Sequence, residues 1–427
     1  MENQETICLL NDSFPPLIDG VANTVMNYAT QLTKMHKNAI VVTPTYRDAD
    51  DSAFDYPIYR YPSIPTQAFE GYPAGVPFSP EVAGKIKGRN IRVLHSHCPV
   101  MSTFMARQLR QITGAPIVFT YHTKFDIDIA HITNRRPLQY ACQKILVANI
   151  SACDEVWAVS HGAGENLRSL GYEGDYIVMP NGVDMPLGRA SDTQIAAATA
   201  GYDLPVGIPV YLFVGRIMWY KGLRIILDAL AKRKAQGLPF RMVFIGKGDD
   251  YQQVTDYAAQ CGIGEQCIFT GPLYDRQMLR AWYSRADLFL FPSTYDTNGL
   301  VVREAAASST PAVLVKGSCA AEGVTDGRNG FLIEENPDSL AACLDHLTLQ
   351  NMASVGQCAA KELYLSWESA VKAAVARYEV VIERQKSGMY QQPMRPVEGI
   401  MKMNGELMEA LSVLSKYRHS SDFWGRK

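Results

Sequence analysis

The sequence lacks an excess of basic charge. It carries 41 lysine and arginine residues against 43 aspartate and glutamate residues, a formal net charge of -2. Because nucleic-acid backbones are bound mainly by clustered cations, this balance argues against a general nucleic-acid-binding protein. The nine cysteines include no pair separated by two or three residues. That spacing argues against a zinc cluster or a disulfide framework and favours reduced thiols.

The sequence also lacks a long apolar run. No stretch reaches the roughly 18–20 uncharged apolar residues that are needed to cross a bilayer. The amino terminus is acidic and polar before a short apolar run, without the basic segment and longer apolar stretch of a signal peptide. These absences predict a cytoplasmic protein. Any contact with the inner face of the cell membrane is then expected to be peripheral.

Short apolar runs alternate with longer amphipathic segments along most of the chain, a pattern that predicts βαβ units and parallel sheets. We therefore predict an α/β protein with two doubly wound domains. The first covers residues 1–185 and is joined by C-terminal helices at about 365–427, and the second covers 186–364. The boundary is expected in Asp184–Pro209, a segment with prolines, small residues and no strand signal.

The first candidate binding segment, Asp12–Asn23, lies between the first predicted strand and the first predicted helix and contains Gly20. A glycine just before a helix N-terminus lets backbone amides approach a phosphate, and the helix dipole favours the negative charge. An ordinary turn glycine explains the residue equally well. The segment does not have the spaced glycines of a nicotinamide-binding turn.

Two further segments follow strands of the second half. Gly215–Gly222 carries Arg216 and Lys221, and an arginine fork with a lysine point charge can hold a diphosphate. In the other segment, Asp296 lies in a polar loop and Glu304 lies one turn inside the following helix. Carboxylates there can accept hydrogen bonds from sugar or ribose hydroxyls. The alternatives are a helix cap for Asp296 and a charge near a helix start for Glu304.

The order Gly-Arg-x4-Lys-Gly, then an acidic residue, seven residues and a glutamate, resembles the retaining glycosyltransferases of family 4. The resemblance implies the GT-B fold, in which two Rossmann-like domains face a central cleft. It implies that the Gly20 loop faces the donor phosphates and sugar, that Arg216 and Lys221 grip the diphosphate, and that Glu304 holds the ribose. Asp296 stands where the family has a glutamate that holds the donor sugar, so the transferred hexose is the open point.

The same resemblance implies roles for further residues. The implied donor-binding residues are Gly20, Val21, Arg216, Lys221, Gly246, Asn298, Gly299, Leu300 and Glu304. The implied catalytic residues are His122 and Asp296, and the implied acceptor region contains Tyr121, Lys124 and His131. His122 is expected to orient the donor sugar. The reaction is expected to retain the anomeric configuration, with no metal and no cofactor besides a nucleotide-sugar co-substrate such as UDP-glucose.

The acceptor is suggested by Tyr121–His131, which is similar to a region of diacylglycerol glucosyltransferases. This similarity favours a glycerolipid acceptor over a soluble or polymeric sugar, both of which stay open. Lipid-acceptor enzymes bind membranes through basic and apolar patches. Two sets of cations are candidates for such contacts, and a solvated face is the alternative for both: Lys85, Lys87, Arg89 and Arg92, and the pair Arg135 and Arg136.

Two other classes of protein fit the sequence less well than a glycosyltransferase. An NAD-dependent oxidoreductase or epimerase is disfavoured because its G-x-G-x-x-G turn is absent. A non-catalytic sugar-nucleotide-binding protein is disfavoured by Arg216, Lys221 and Glu304, although Asp296 leaves room for it. In the tail Pro396–Tyr417, apolar residues at helical spacing predict an amphipathic helix. It is expected to pack on the first domain, with dimerisation or membrane contact as alternatives.

Overall fold

The structure is a computed structural model that describes residues 5–66, 72–125, 129, 135–390, 402–408 and 411. The chain divides into two compact units, Met1–Pro180 with Trp367–Lys427, and Asn181–Ser366. None of the described helices combines the length and the apolar character that are needed to span a bilayer. All nine cysteines lie in the described ranges, and no disulfide bond joins them.

The elements alternate along the chain as the sequence pattern predicts. The strands are β1 (Glu5–Leu10), β2 (Asn38–Pro44), β3 (Ile58–Tyr61), β4 (Ser63–Ile64), β5 (Ala74–Gly75), β6 (Asn90–Ser96), β7 (Ile117–Tyr121), β8 (Glu155–Ala158), β9 (Ile177–Val178), β10 (Val210–Val214), β11 (Arg241–Ile245), β12 (Cys267–Gly271), β13 (Leu288–Phe291), β14 (Ala312–Val315) and β15 (Phe331–Ile333). The helices are α1 (Gly20–Lys34), α2 (Pro80–Lys87), α3 (Met101–Thr113), α4 (Arg136–Ile150), α5 (His161–Ser169), α6 (Asp192–Ala198), α7 (Leu223–Ala235), α8 (Tyr251–Gln260), α9 (Arg276–Arg285), α10 (Leu300–Ala307), α11 (Pro337–Asp345), α12 (Leu349–Glu362) and α13 (Trp367–Lys386).

In the described part of the first unit, seven parallel strands form a sheet of order β3-β2-β1-β6-β7-β8-β9. The chain runs outward from β1 through β2 and β3, and then returns to the other side of β1 with β6. Ligands of open parallel sheets bind at such a reversal, beyond the carboxyl ends of the strands. The loops that follow β1, β6 and β7 are therefore the ones that the fold places for function.

In the second unit, six parallel strands form a sheet of order β12-β11-β10-β13-β14-β15. Its reversal lies between β10 and β13, so the loops after these two strands adjoin the expected ligand position. Strands β10, β13 and β14 are buried on both faces, which is why each reads as a short continuous apolar run, whereas the edge strand β12 is half-buried throughout. The apolar runs Val210–Val214 and Arg241–Ile245, which predict strands from the sequence, match β10 and β11 residue for residue.

The carboxyl-terminal segment returns to the first unit. In α13, the Tyr378 hydroxyl lies 2.6 Å from Nδ1 of His95, and the Trp367 ring meets Tyr28 edge-on. Within the tail, residues 402–408 are helical, and the Met408 sulfur accepts a hydrogen bond from the Ser79 amide at the start of α2. The described part of the tail therefore packs on the first unit, as the first of the three alternatives predicted.

Several elements were not predicted, and one predicted feature is different. The segment Asp184–Pro209 was expected to be a linker, but it contains α6, which begins with a capping box made by Ser191 and Gln194. The sequence pattern also missed β3, α2, α5, β15, α11 and α12. Most of these are short, or begin at a polar cap, so their apolar periodicity is weak over the length that a pattern needs.

A glycine substitution tests the packing of the loop that follows β11. Gly246 has a φ of 146°, and a Cβ there would overlap the Gly215 carbonyl oxygen. Gly246→Ala is therefore expected to lower the free energy of unfolding by at least about 2 kcal/mol, since backbone must move. Gly264→Ala, where the added Cβ makes only ordinary contacts, is the matched control. Equal denaturation midpoints for the two variants would contradict the predicted overlap.

Candidate functional site

The loop after β10 carries two cationic side chains, Arg216 and Lys221, which differ in their exposure to solvent. Arg216 is exposed, whereas Lys221 is only 7% exposed. Gly222 follows Lys221 with a φ of 77°, and a Cβ there would overlap the Pro292 carbonyl oxygen at the end of β13. The close approach of these two loops brings Lys221 next to the residues that follow β13.

The two motifs of the second unit meet in an ion pair. The Lys221 ammonium lies 2.6 Å from Oδ1 of Asp296, and the Ser293 hydroxyl donates to Oδ2 at 2.6 Å. Burial lowers the pKa of Lys221, and the Asp296 carboxylate opposes that shift. Asp296 does not cap the following helix, because Gly299 is the N-cap residue of α10 and no side chain caps it. The helix-cap alternative for Asp296 is therefore wrong.

Aromatic rings surround the Lys221 ammonium. Tyr220 and Tyr295 each have their ring centre 5.5 Å from the nitrogen, and the two rings lie 4.5 Å apart. The Arg216 guanidinium carbon lies 5.8 Å from the Tyr220 ring centre. Tyr220 stands inside the first motif, and Ser293 and Tyr295 lie just before Asp296, yet sequence reasoning assigned them no part in the site. Their position next to the motif residues was the signal that was available.

The start of α10 offers hydrogen-bond donors. Gly299 adopts the left-handed conformation there, with a φ of 59°. The side-chain nitrogen of Asn298 is buried and has no hydrogen-bond partner among the described residues. A buried amide without a partner is costly, so a group that supplied an acceptor there would be stabilised. Leu300 is the first residue of the helix, so these three predicted donor-binding residues lie at one helix start.

Glu304 lies one turn inside α10 and is nearly buried. Its Oε1 accepts a hydrogen bond from Arg276 at 2.6 Å, and its Oε2 accepts one from the Tyr283 hydroxyl at 3.1 Å. Burial, followed by the Glu304 charge, raises the pKa of Tyr283 well above its ordinary value. Sequence reasoning missed Arg276 and Tyr283, because their contact with Glu304 depends on the packing of α9 against α10.

The loop after β11 completes this side of the second sheet. The Ile217 amide donates to the Lys247 carbonyl at 3.0 Å, and the Trp219 amide donates to Oδ2 of Asp250 at 2.9 Å. Gly246 lies directly against the Gly215 carbonyl, as described above. The structure therefore brings the predicted residues of the loops after β10, β11 and β13 together at the carboxyl ends of neighbouring strands.

In the first unit, Gly20 begins α1. The preceding residue, Asp19, is the N-cap and accepts a hydrogen bond from the Ala22 amide at 2.7 Å. Gly20 is exposed, its backbone is not in the left-handed region, and a Cβ there would meet nothing within 4 Å. The described part of the fold therefore does not require glycine at this position. Val21 follows it in the first turn and is half-buried.

His122 follows β7 and belongs to a buried histidine cluster that includes His95 and His97. Nε2 of His122 lies 3.0 Å from Nδ1 of His97, and the two rings stack 5.2 Å apart. Burial lowers the pKa of His122 to about 3, and it also lowers the pKa values of His95 and His97 well below the ordinary range. All three rings are therefore neutral at physiological pH.

The predicted acceptor region is only partly described. Tyr121 is fully buried, and its hydroxyl donates to Oδ1 of Asn166 at 2.8 Å, so its side chain belongs to the core. Lys124 is half-buried. His131 lies outside the described residues.

The two predicted basic patches differ in their surroundings. In the first, Lys85 pairs with Glu81, Arg92 pairs with Glu5, and Arg89 donates to the Tyr59 hydroxyl. Much of its charge is therefore already compensated. In the second, Arg135 and Arg136 are exposed at the start of α4. The same helix exposes apolar and basic side chains along one stretch: Leu138, Tyr140, Lys144 and Ile145.

Two family models match this chain. Residues 18–186 match the model described as Glycosyltransferase Family 4, and residues 199–358 match the model described as Glycosyl transferases group 1. A GDP-mannose-dependent alpha-mannosyltransferase of Corynebacterium glutamicum is 25% identical over 77% of this chain and 76% of its own length. An alpha-monoglucosyldiacylglycerol synthase of Streptococcus pneumoniae is 23% identical over 72% of this chain and 70% of its own length.

Solved structures share the fold. A crystal structure of Anabaena HepE in complex with UDP and glucose superimposes with a TM-score of 0.66 at 18% identity, over 87% of this chain and 99% of that one. The two parallel sheets and this likeness define the GT-B fold. The chain belongs to glycosyltransferase family 4.

The support of Glu304 by Tyr283 can be tested with two matched substitutions. Tyr283→Phe removes a buried hydrogen bond to a carboxylate and is expected to lower the free energy of unfolding by about 1.5–3 kcal/mol. Tyr257→Phe removes a similar bond, 2.7 Å from Asp228, at a more exposed position. It is expected to cost less than about 1 kcal/mol. Denaturant unfolding measures both variants. A larger loss of unfolding free energy for Tyr257→Phe than for Tyr283→Phe would contradict a stabilising hydrogen bond between Tyr283 and the buried Glu304.

Proposed function

We propose that this protein transfers a hexose, glucose in the first instance, from a nucleoside-diphosphate sugar such as UDP-glucose to an acceptor hydroxyl of a glycerolipid such as diacylglycerol. The proposal includes retention of the anomeric configuration and independence from metal ions. The observation that carries it is the group of residues at the reversal of the second sheet, where two cations, an uncapped helix start and two carboxylates adjoin.

The donor half of the proposal rests on charge. Arg216 and Lys221 supply the positive charge that a diphosphate needs, and the amides of the α10 start with the Asn298 side chain supply further donors. Glu304 is held by Arg276 and Tyr283 with lone pairs to spare, so it can accept the ribose hydroxyls. Each partner suits the chemistry of a nucleoside diphosphate without a metal ion.

The proposed reaction exchanges one bond to C1 of the hexose for another. The bond from C1 to the diphosphate oxygen breaks and its electron pair leaves with the diphosphate. The acceptor oxygen bonds to C1 on the same face, and its proton passes to the departing phosphate oxygen. Arg216 and Lys221 stabilise the charge that develops on the leaving group, because they are already in place before the reaction.

Two residues of the first unit support the same function. Gly20 is a glycine that the described fold does not require, so its missing side chain is better explained by a ligand that approaches the start of α1. His122 is neutral, and a neutral imidazole can donate a hydrogen bond to a sugar hydroxyl without repelling the positive charge that forms at C1. We assign both residues to the donor sugar and its phosphates.

The lipid acceptor is supported by the surface of α4. Its exposed apolar side chains Leu138, Tyr140 and Ile145 alternate with Arg136 and Lys144, a combination that suits the interface of an anionic membrane. Two relatives, one of which is the Streptococcus pneumoniae protein, are described as alpha-monoglucosyldiacylglycerol synthases. A mannose donor is the second candidate, because the Corynebacterium relative is described as GDP-mannose-dependent.

The proposal is tested by a panel of donors and acceptors. The purified protein is incubated with UDP-glucose, UDP-galactose or GDP-mannose, and with diacylglycerol in mixed micelles or with free sugars, in the presence of excess chelator. We expect transfer from UDP-glucose to diacylglycerol, with an α-linked product detected by NMR. Transfer only to free sugars would overturn the lipid acceptor, and activity that appears only on adding a divalent metal would overturn metal independence.

Substitutions of Asp296 test its contact with the donor sugar. Asn keeps the size and one acceptor oxygen, whereas Ala removes both, so kcat/KM should fall in the order wild type, Asp296→Asn, Asp296→Ala. A lost charge-assisted hydrogen bond of about 1.5–3 kcal/mol corresponds to a decrease of roughly 10- to 150-fold. Affinity for UDP alone should not fall in the same order, because loss of the Asp296 charge leaves the Lys221 ammonium to pair with the diphosphate. Asp338→Asn, at an exposed ion pair with Lys232, is the control, and an equal loss there would refute the sugar contact.

Vesicle binding tests the α4 surface. The double variant Leu138→Glu with Ile145→Glu is expected to bind vesicles of phosphatidylglycerol at least about tenfold more weakly, because it removes apolar area and adds repulsive charge. The control is Val206→Glu with Leu349→Glu, at two exposed apolar positions of the second unit. Co-sedimentation measures both. Unchanged binding of the α4 variant would remove the membrane argument for a lipid acceptor.

A further inference from the structure

The histidine cluster of the first unit contains one nitrogen that the fold does not satisfy. His95 is fully engaged, because its Nδ1 lies 2.6 Å from the Tyr378 hydroxyl and its Nε2 lies 2.7 Å from the Thr120 hydroxyl. His97 packs against His95, with the ring centres 4.0 Å apart and the ring planes tilted by 40°. Nε2 of His97 is buried and has no hydrogen-bond partner in the described part of the chain.

The pairing of His97 with His122 fixes which nitrogens carry protons. Both rings are neutral, so across the 3.0 Å contact one nitrogen donates and the other accepts. If Nε2 of His122 donated, the proton of His97 would sit on its Nε2, which would then be a buried donor without an acceptor. If Nδ1 of His97 donates, Nε2 of His97 keeps an unsatisfied acceptor lone pair and no unsatisfied proton. Orphaned buried N–H groups are rarer than under-satisfied acceptors, so the second arrangement is favoured.

We propose that His97 is a positioning residue that donates its Nδ1 proton to Nε2 of His122 and thereby holds His122 as the Nδ1–H tautomer. This inference rests on the proposed role of His122 toward the donor sugar. With its Nε2 lone pair engaged, His122 does not accept a proton during the reaction. His97 then fixes both the tautomer and the orientation of the His122 ring.

The surroundings of His97 favour a single ring position. His97 is 2% exposed and is packed between the His95 ring and the edge of Tyr28, whose ring centre lies 5.3 Å away. A ring held on two sides cannot turn to another partner without moving the cluster. His97, which follows β6, therefore restricts the movement of the His122 side chain, which follows β7.

Two substitutions of His97 separate positioning from simple packing. Asn can place its side-chain N–H near the position of Nδ1, whereas Leu fills space without any donor. His97→Leu is expected to lower kcat for hexose transfer about 10- to 100-fold, as for other hydrogen-bond partners that orient a functional histidine, with little change in the donor KM. His97→Asn should restore most of the loss. Thr120→Val removes a hydrogen bond of His95 and is the control, with kcat unchanged.

The tautomer is measured without relying on activity. With ¹⁵N-histidine labelling, the ring nitrogens of His122, assigned through His122→Asn, should show the Nδ1–H form in the wild type and a mixture of forms in His97→Leu. An Nε2–H form of His122 in the wild type would overturn the inference, as would equal kcat values for His97→Leu and wild type. A wild-type protein with the expected tautomer and no hexose transfer to any acceptor would instead refute the proposed function.

Discussion

The approach of three loops at the carboxyl ends of β10, β11 and β13 is the constraint on which the candidate site of the second unit depends. Gly246 lies against the Gly215 carbonyl, and Gly222 lies against the Pro292 carbonyl, at distances that no side chain would tolerate. Because all three glycines also have positive φ values, the backbone itself determines how close the loops come. Lys221 and its partner follow from that approach, since a wider spacing would leave the lysine in water.

The burial of Lys221 changes the properties of its ion pair with Asp296. Removing an ammonium from water is costly, and a single carboxylate at 2.6 Å only partly offsets that cost, so the pKa of Lys221 is still lowered. A lysine in this state is under-solvated and gains when a second anion arrives. Aspartate, one methylene shorter than the glutamate of the family pattern, is held in place by Ser293 as well as by the lysine. Any sugar contact must therefore form beside an existing pair.

The sequence was sufficient to predict features that depend on neighbouring residues, such as strands and short motifs. It was insufficient to predict contacts between residues that are far apart in the chain. Buried parallel strands such as β10 and β11 were predicted residue for residue because both faces are apolar. Arg216 and Glu304 could be proposed as site residues from the sequence because their motifs follow predicted strands. Arg276, Tyr283 and His97 were missed, since each acts through a contact that only helix packing or strand order creates. Some helices between the strands were missed because they have a clear polar N-cap but only weak apolar periodicity.

The candidate site residues are charged in the second unit and neutral in the histidine cluster of the first unit. The second unit keeps charged groups at its site and partly buries them in pairs, as Glu304 with Arg276 shows, so it is suited to a ligand that is itself strongly charged. In the first unit, burial is the main cause that lowers the pKa values of His95, His97 and His122, and repulsion between the rings adds to it for His95 and His97. No carboxylate is hydrogen-bonded to the rings of His95 or His97 among the described residues. A neutral donor is the appropriate partner for a sugar that becomes positive at C1, because a cationic imidazole there would oppose the reaction. If His122 contacts the sugar as proposed, burial of the cluster sets its neutral state before any ligand binds.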